Sequence, residues 1–152
     1  MASLAEILNH PEKRPRVVRA CVELVEAEVA GKRGLSGAAV RAGYKVVRAV
    51  KPTFAGEVVD RLLPEFATAL EELYREAVVR AEADGRPVPE SFRLHLEANA
   101  PRAAEALLVV TDRRAEKVSG PVKKAYQRLR GVAGGHVEAA VPGLARTLAP
   151  FL

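Results

Sequence analysis

Apolar residues recur along most of the chain at the three- and four-residue intervals of an amphipathic α-helix. No segment shows the sustained alternation of apolar and polar residues that is typical of a half-buried strand. The helices predicted for the first half of the chain cover residues 4–8, 15–30, 36–50, 54–62 and 65–83. Those predicted for the second half cover residues 92–97, 101–117, 120–132, 136–141 and 143–149. The pattern predicts an all-α protein.

Helix-capping and helix-breaking residues set these boundaries. Ser3 with Glu6 forms a capping box that starts the first helix. Ser36 is expected to be the N-cap of the third helix, and Pro52 is expected to follow its end. Pro64 should either kink the chain or start a new helix, because proline lacks the N–H that a helix interior uses.

Several of these signals occur twice in the same order. A Pro-Arg pair, a Ser-Gly pair, a tyrosine and a later proline begin at residues 15, 36, 44 and 64 in the first copy and at residues 101, 119, 126 and 142 in the second. Gly134-Gly135 stands where the first copy has the Lys51-Pro52 break. We therefore expect one helical domain, 1–152, built by internal duplication from two similar halves related by a pseudo-twofold axis. The halves span about residues 4–84 and 91–152, and residues 85–90, which include two prolines, form the linker.

Helical periodicity also predicts which side chains form the core. The expected core positions, each on the apolar arc of its helix, are Cys21, Tyr44, Leu70, Leu107, Tyr126 and Leu148. Cys21 is the single cysteine and lies among valines and leucines, where a thiol usually acts as a small buried hydrophobe.

The order of these motifs resembles that of a known family. It comprises an apolar helix opened by Pro-Arg, Gly-Leu-Ser-Gly at 34–37, a basic helix containing Tyr44, the Lys51-Pro52 break and Leu-Leu-Pro-Glu-Phe-Ala at 62–67. It is similar to an uncharacterised family of short, all-helical bacterial proteins of unknown function, over nearly the whole chain. The resemblance implies a fold and transfers no activity to any residue.

No motif of the sequence predicts catalysis. The three histidines, His10, His95 and His136, have no cysteine, carboxylate or second histidine at zinc or di-iron spacing. The glycines at 31–37 do not match a P-loop. We therefore expect that the protein has no catalytic residue, metal site or cofactor, and that it is not an enzyme. No apolar run approaches the roughly 20 residues of a membrane span, so a cytoplasmic protein without membrane contact is expected.

The distribution of charge along the chain is the feature that says most about the surface. Residues 1–52 carry a net charge of +5, residues 53–100 carry −5 and residues 101–152 carry +5, which gives the overall +5. The cations concentrate on the two equivalent helices that follow the Ser-Gly pairs. The candidate phosphate contacts are Arg41, Lys45, Arg48, Lys123, Lys124 and Arg128. Glu65, Glu72 and Glu76 form an acidic face that could meet the basic helices of the same chain or of a neighbour.

These charges leave two hypotheses open. One is a small structural or protein-interaction module that forms a homodimer through oppositely charged helix faces. The alternative is weak, largely non-specific nucleic-acid binding, in which the two basic helices follow a phosphate backbone.

Overall fold

A computed structural model describes residues 2–32 and 34–152 of the chain, without the side chains of residues 35 and 36. This described part contains eight α-helices, a C-terminal 3-10 turn and no strand, which confirms the predicted all-α class. The helices are α1 (Leu4–Leu8), α2 (Arg14–Gly31), α3 (Gly34–Val50), α4 (Phe54–Ala69), α5 (Glu71–Asp84), α6 (Val88–Ala98), α7 (Ala100–Ala115) and α8 (Pro121–Leu148).

The start of α1 agrees with the sequence prediction, and the start of α3 does not. The Ser3 hydroxyl accepts a hydrogen bond from the Glu6 N–H at 3.1 Å. Helix α3 begins at Gly34, two residues before Ser36, so the prediction of Ser36 as N-cap is wrong. Gly34 has φ +75°, a conformation that glycine adopts without strain, and this lets the chain turn early. Gly37 then passes so close to Lys32 that a Cβ atom on it would lie 2.8 Å from the Lys32 carbonyl carbon.

Helix α4 runs through Pro64 without a break, contrary to the predicted end near residue 62. Helix α4 ends instead at Ala69, and Leu70 separates it from α5. Pro64 cannot donate to the Asp60 carbonyl, which would be its helical partner. The Arg14 guanidinium of α2 donates to that carbonyl, and its Nε also contacts Asp60 Oδ1 at 2.9 Å. A contact between two helices thus replaces the missing helical bond.

The second half contains fewer breaks than its sequence predicts. Helix α8 is one 28-residue helix, so the predicted ends at Gly134-Gly135 and Pro142 are wrong. Each interior glycine costs a helix only about 1 kcal/mol relative to alanine, and packing offsets that cost. The C-terminal part of α8 buries Val141, Ala145 and Leu148. The predicted linker is also shorter, since α6 begins at Val88 with Pro89 in its first turn, where a missing N–H is tolerated.

The core draws residues from every helix except α3, as far as the described side chains show. Leu70 and Leu148 are buried, as predicted. Cys21 and Leu107 are half-buried and pack against the core, and Tyr44 and Tyr126 are half-buried as well. Burial raises the pKa of the Cys21 thiol to about 11. The most enclosed large side chains are Phe92, Leu4, Leu8, Leu70, Leu96, Val17, Val110 and Val141.

The helix contacts place α3 at the edge of the protein. Helices α2 and α7 each pack against both α4 and α8. Helix α3 lies against α2, α4 and the N-terminal half of α8. Gly43 marks its contact with α8, because a Cβ atom on Gly43 would lie 3.4 Å from Leu129 Cδ1. The two helices that carry the candidate phosphate contacts are therefore neighbours.

Candidate nucleic-acid interface

The contact between Gly43 and Leu129 joins two segments that contain no acidic residue. Helix α3 carries three cations and no carboxylate. Residues 117–137, which include the first half of α8, carry five cations and no carboxylate. We define the basic surface as the six predicted side chains on these two helices: Arg41, Lys45, Arg48, Lys123, Lys124 and Arg128. Five of them are exposed, and Lys123 is half-buried.

The six cations differ in how far the protein already engages them. The Arg41 guanidinium donates to the Lys32 carbonyl, which lies just after the end of α2. Arg48 contacts Glu26 at 3.2 Å, in a pair where both side chains are largely accessible. Within the described residues, Lys45, Lys124 and Arg128 form no ion pair. These three side chains are the ones best able to meet an external anion.

A tyrosine, a carboxylate and an arginine attach the first half of α8 to α7. The Arg130 guanidinium donates two hydrogen bonds to Asp112, from Nε to Oδ1 at 2.8 Å and from Nη2 to Oδ2 at 3.1 Å. The Tyr126 hydroxyl donates to Asp112 and lies 2.9 Å from the Thr111 hydroxyl. The hydrogen bond from Arg130, and then that from Tyr126, lower the pKa of Asp112. The carboxylate therefore stays ionised and fixes α8 at the edge of the basic surface.

A partly similar pairing lies near Tyr44 in the first half of the chain, although the Tyr44 hydroxyl bonds no described residue. Glu26 pairs with Arg48, and burial followed by the charge of Glu26 raises the pKa of Tyr44. The acidic residue stands eleven positions after the Pro of each Pro-Arg pair, and the arginine four after each tyrosine. Our sequence reasoning did not predict that Glu26 and Asp112 would each pair with an arginine near a tyrosine. The shared spacing from the proline is the signal that could have revealed them.

The acidic face pairs with α7, and not with the basic helices of the same chain. Arg114 Nε lies 2.9 Å from Glu65. Arg102 contacts Glu76 at 2.8 Å and Glu72 at 3.2 Å. The hydrogen bonds from Arg102, and then from His95, lower the pKa of Glu76 to about 2. These three carboxylates are therefore already engaged within the subunit.

The histidines have structural surroundings. His95 is buried, with Nε2 2.8 Å from Glu76 Oε1 and Nδ1 3.3 Å from the Asn99 amide nitrogen. His136 lies inside α8 and does not start a helix. In residues 2–32 and 34–152, no three His, Cys, Asp or Glu side chains come together in a way that could hold a metal ion. No helix in the same ranges combines the length and apolar character needed to cross a membrane.

Comparison with known proteins identifies a family and no activity. No curated protein and no solved structure matches the chain significantly. The sequence model of a family of unknown function, DUF6918, covers residues 4–152, and it confirms the resemblance that the order of motifs indicated. The chain therefore belongs to the family DUF6918.

Proposed function

We propose that this protein binds nucleic acid through the basic surface on α3 and the first half of α8. The observation that carries the proposal is that two acid-free helical segments pack against each other at Gly43 and Leu129. Packing like-charged helices together costs electrostatic free energy, and a bound polyanion removes that cost. A phosphate backbone supplies negative charge at the regular spacing that a row of cations can follow.

The contacts available favour binding that does not depend on base sequence. Lys45, Lys124 and Arg128 are exposed and form no ion pair with the described residues. Arg48 is held only by an exposed ion pair, which is worth about 0–1 kcal/mol, so a phosphate can replace Glu26. The Tyr126 hydroxyl is bound to Thr111 and Asp112, so its ring is not free to stack on bases.

Fluorescence anisotropy with a labelled DNA duplex and a labelled RNA strand tests this proposal. Log affinity should fall linearly with log salt, and each lost phosphate contact should reduce the slope by about 0.9 for a duplex. Reversing Lys45, Lys124 and Arg128 to Glu should therefore reduce the slope by about 2.7 and weaken all sequences alike. Arg80→Glu is the matched control, because Arg80 is exposed on α5 and forms no ion pair with the described residues. Absence of binding at about 0.05 M salt, or an equal loss in the control, would refute the proposal.

We also propose that the basic surface arose by internal duplication. Support comes from the two carboxylate–arginine pairs near a tyrosine, Glu26 with Arg48 and Asp112 with Arg130, and from the way α2 and α7 each contact α4 and α8. A further contact involves the residue after the later proline in each copy. Arg114 contacts Glu65, which follows Pro64. Glu28 lies near Gly143, which follows Pro142, since Glu28 Oε1 would be 3.2 Å from a Cβ atom on that glycine. Superposition of residues 15–70 on 101–148 in an experimental structure tests this, and a different helix order or handedness would contradict it.

A second candidate is a protein-interaction module that self-associates. It is favoured by two valines on α3 that face solvent, Val46 with 64% and Val50 with 82% exposure. Both candidates are binding roles without catalysis. We place them in the cytoplasm, where nucleic acid is accessible and the lone Cys21 remains a thiol.

A further inference from the structure

Helix α1, with the residues just before it, and helix α5 form an open groove whose lining combines valines with charged side chains. The groove has a volume of about 530 Å³, and its lining includes Glu6, Glu71, Arg75, Val78, Val79 and Glu82. Val79 lies there with 65% of its surface exposed, whereas Val78 packs against the core. The groove thus presents one exposed valine, on a different helix from Val46 and Val50.

The rim of the groove carries an excess of negative charge. Glu71 is engaged, since it accepts from the Leu4 N–H at 2.7 Å and contacts Arg75 at 3.2 Å. Glu6 and Glu82 are exposed and form no ion pair within the described part of the chain. Three carboxylates and one guanidinium give the lining a net charge of −2.

Helix α3 has the complementary character. Its exposed valines, Val46 and Val50, are flanked by Lys45 and Arg48, and the helix contains no carboxylate. Two copies of α3 would repel each other, because each brings only positive charge. The groove between α1 and α5 offers the opposite charge beside the exposed Val79, so the two surfaces are electrostatically complementary.

We infer that α3 of one copy docks into the groove between α1 and α5 of a second copy. Val46 and Val50 then cover the exposed Val79, and Lys45 approaches the carboxylates of Glu6 and Glu82. A twofold axis allows both copies to make this contact at once, which closes the assembly as a dimer. The inference shares α3 with the proposed function and does not depend on nucleic-acid binding. If both hold, nucleic acid and the second copy compete for α3.

Sedimentation velocity without nucleic acid, over about 10 to 300 μM protein at about 0.05 M salt, tests the inference. The wild type should show a concentration-dependent dimer that dissociates at about 0.5 M salt, because screening weakens its rim contacts. Val46→Glu and the double variant Glu6→Lys with Glu82→Lys should each be monomeric. Mixing the double variant with Lys45→Glu should restore association. Glu90→Lys on α6 is the matched control and should dimerise like the wild type.

Each other outcome overturns the inference. A wild type that stays monomeric throughout removes the interface. A dimer lost with Val46→Glu but retained with the rim reversal shows that α3 meets another surface. A dimer lost with the rim reversal alone shows that the groove takes another segment. Lys124→Glu with Arg128→Glu separates the two proposals, because it should weaken nucleic-acid binding and leave the dimer unchanged.

Discussion

The contact between Arg14 and Asp60 explains how α4 passes through Pro64, and it can be isolated by a double-mutant cycle. Proline at position 64 removes the helical donor to the Asp60 carbonyl, and the Arg14 guanidinium donates in its place. Pro64→Ala restores the backbone N–H, so that in this background the carbonyl no longer depends on Arg14. Arg14→Met should therefore destabilise the wild type more than it destabilises the Pro64→Ala protein.

The cycle cancels the other contacts of Arg14. Its Nε also pairs with Asp60 Oδ1, and its Nη1 donates to Asn9 Oδ1, and both contacts exist in either background. What remains is one charge-assisted hydrogen bond to a backbone carbonyl near the surface, for which we expect a coupling of about 1 kcal/mol. Pro64→Ala alone should stabilise the protein, by at most about 3 kcal/mol, the cost of proline inside a helix.

Urea denaturation followed by circular dichroism gives the four free energies of unfolding, provided that the m-value stays constant. Pro142→Ala is the matched control, since Pro142 is the other proline inside a helix and lies on α8. Its coupling to Arg14→Met should be close to zero. A coupling below about 0.3 kcal/mol at Pro64, or an equal coupling at Pro142, would refute the compensation.

Three further predictions test other parts of the structure. In urea denaturation, Gly37→Ala should destabilise the protein by about 1–3 kcal/mol, because its Cβ would press on the Lys32 backbone. Gly131 has open space around it, so Gly131→Ala should stabilise the protein by up to about 1 kcal/mol. Tyr126→Phe should lower the free energy of unfolding by about 1 kcal/mol, because the hydrogen bond to Asp112 is lost. The Tyr44 hydroxyl bonds no described residue, so Tyr44→Phe should lower it less, and equal losses would contradict a stabilising role for the Tyr126 hydrogen bond. The pKa of Glu76 is lowered from 4.5 to about 2, so its stabilising contribution is present above pH 4.5 and is lost as pH falls toward 2. The free energy of unfolding of Glu76→Gln should therefore fall less steeply than that of the wild type as pH decreases through that window. An unchanged dependence on pH would contradict the stabilising role of the ionised Glu76.

Much of the first half of the fold follows from local signals in the sequence. The Ser3 cap fixes α1, and the Pro52 break separates α3 from α4. Proline and glycine inside the longer helices were misread, because their effect depends on partners that are distant in sequence. The Arg14 donor for α4 lies 46 residues from Asp60, and no local pattern announces it.

The candidate site shows the same division. The amphipathic pattern of α3 and α8 predicted the six cations of the basic surface, and most of them are exposed. Sequence reasoning could not predict that Arg41 binds the Lys32 carbonyl, since the two residues are nine positions apart and Lys32 lies at the end of a different helix. It also left open the partner of the acidic face. Arg102 and Arg114 take that role because α7 packs on α4 and near α5, a tertiary arrangement that periodicity does not encode.

The distribution of carboxylates near the basic surface bears on why the cations are there. Glu26 and Asp112 each engage one arginine, Arg48 and Arg130, at the side where the basic helix meets its neighbour. No carboxylate is placed among the remaining exposed cations of α3 or of residues 117–137. Selection for stability alone would favour acidic residues at some of these exposed positions, because pairs of opposite charge four residues apart stabilise a helix and like charges destabilise it. Helix α3 and residues 117–137 both keep this unfavourable composition, and the proposed binding of a polyanion accounts for it, because the bound partner would supply the missing negative charge.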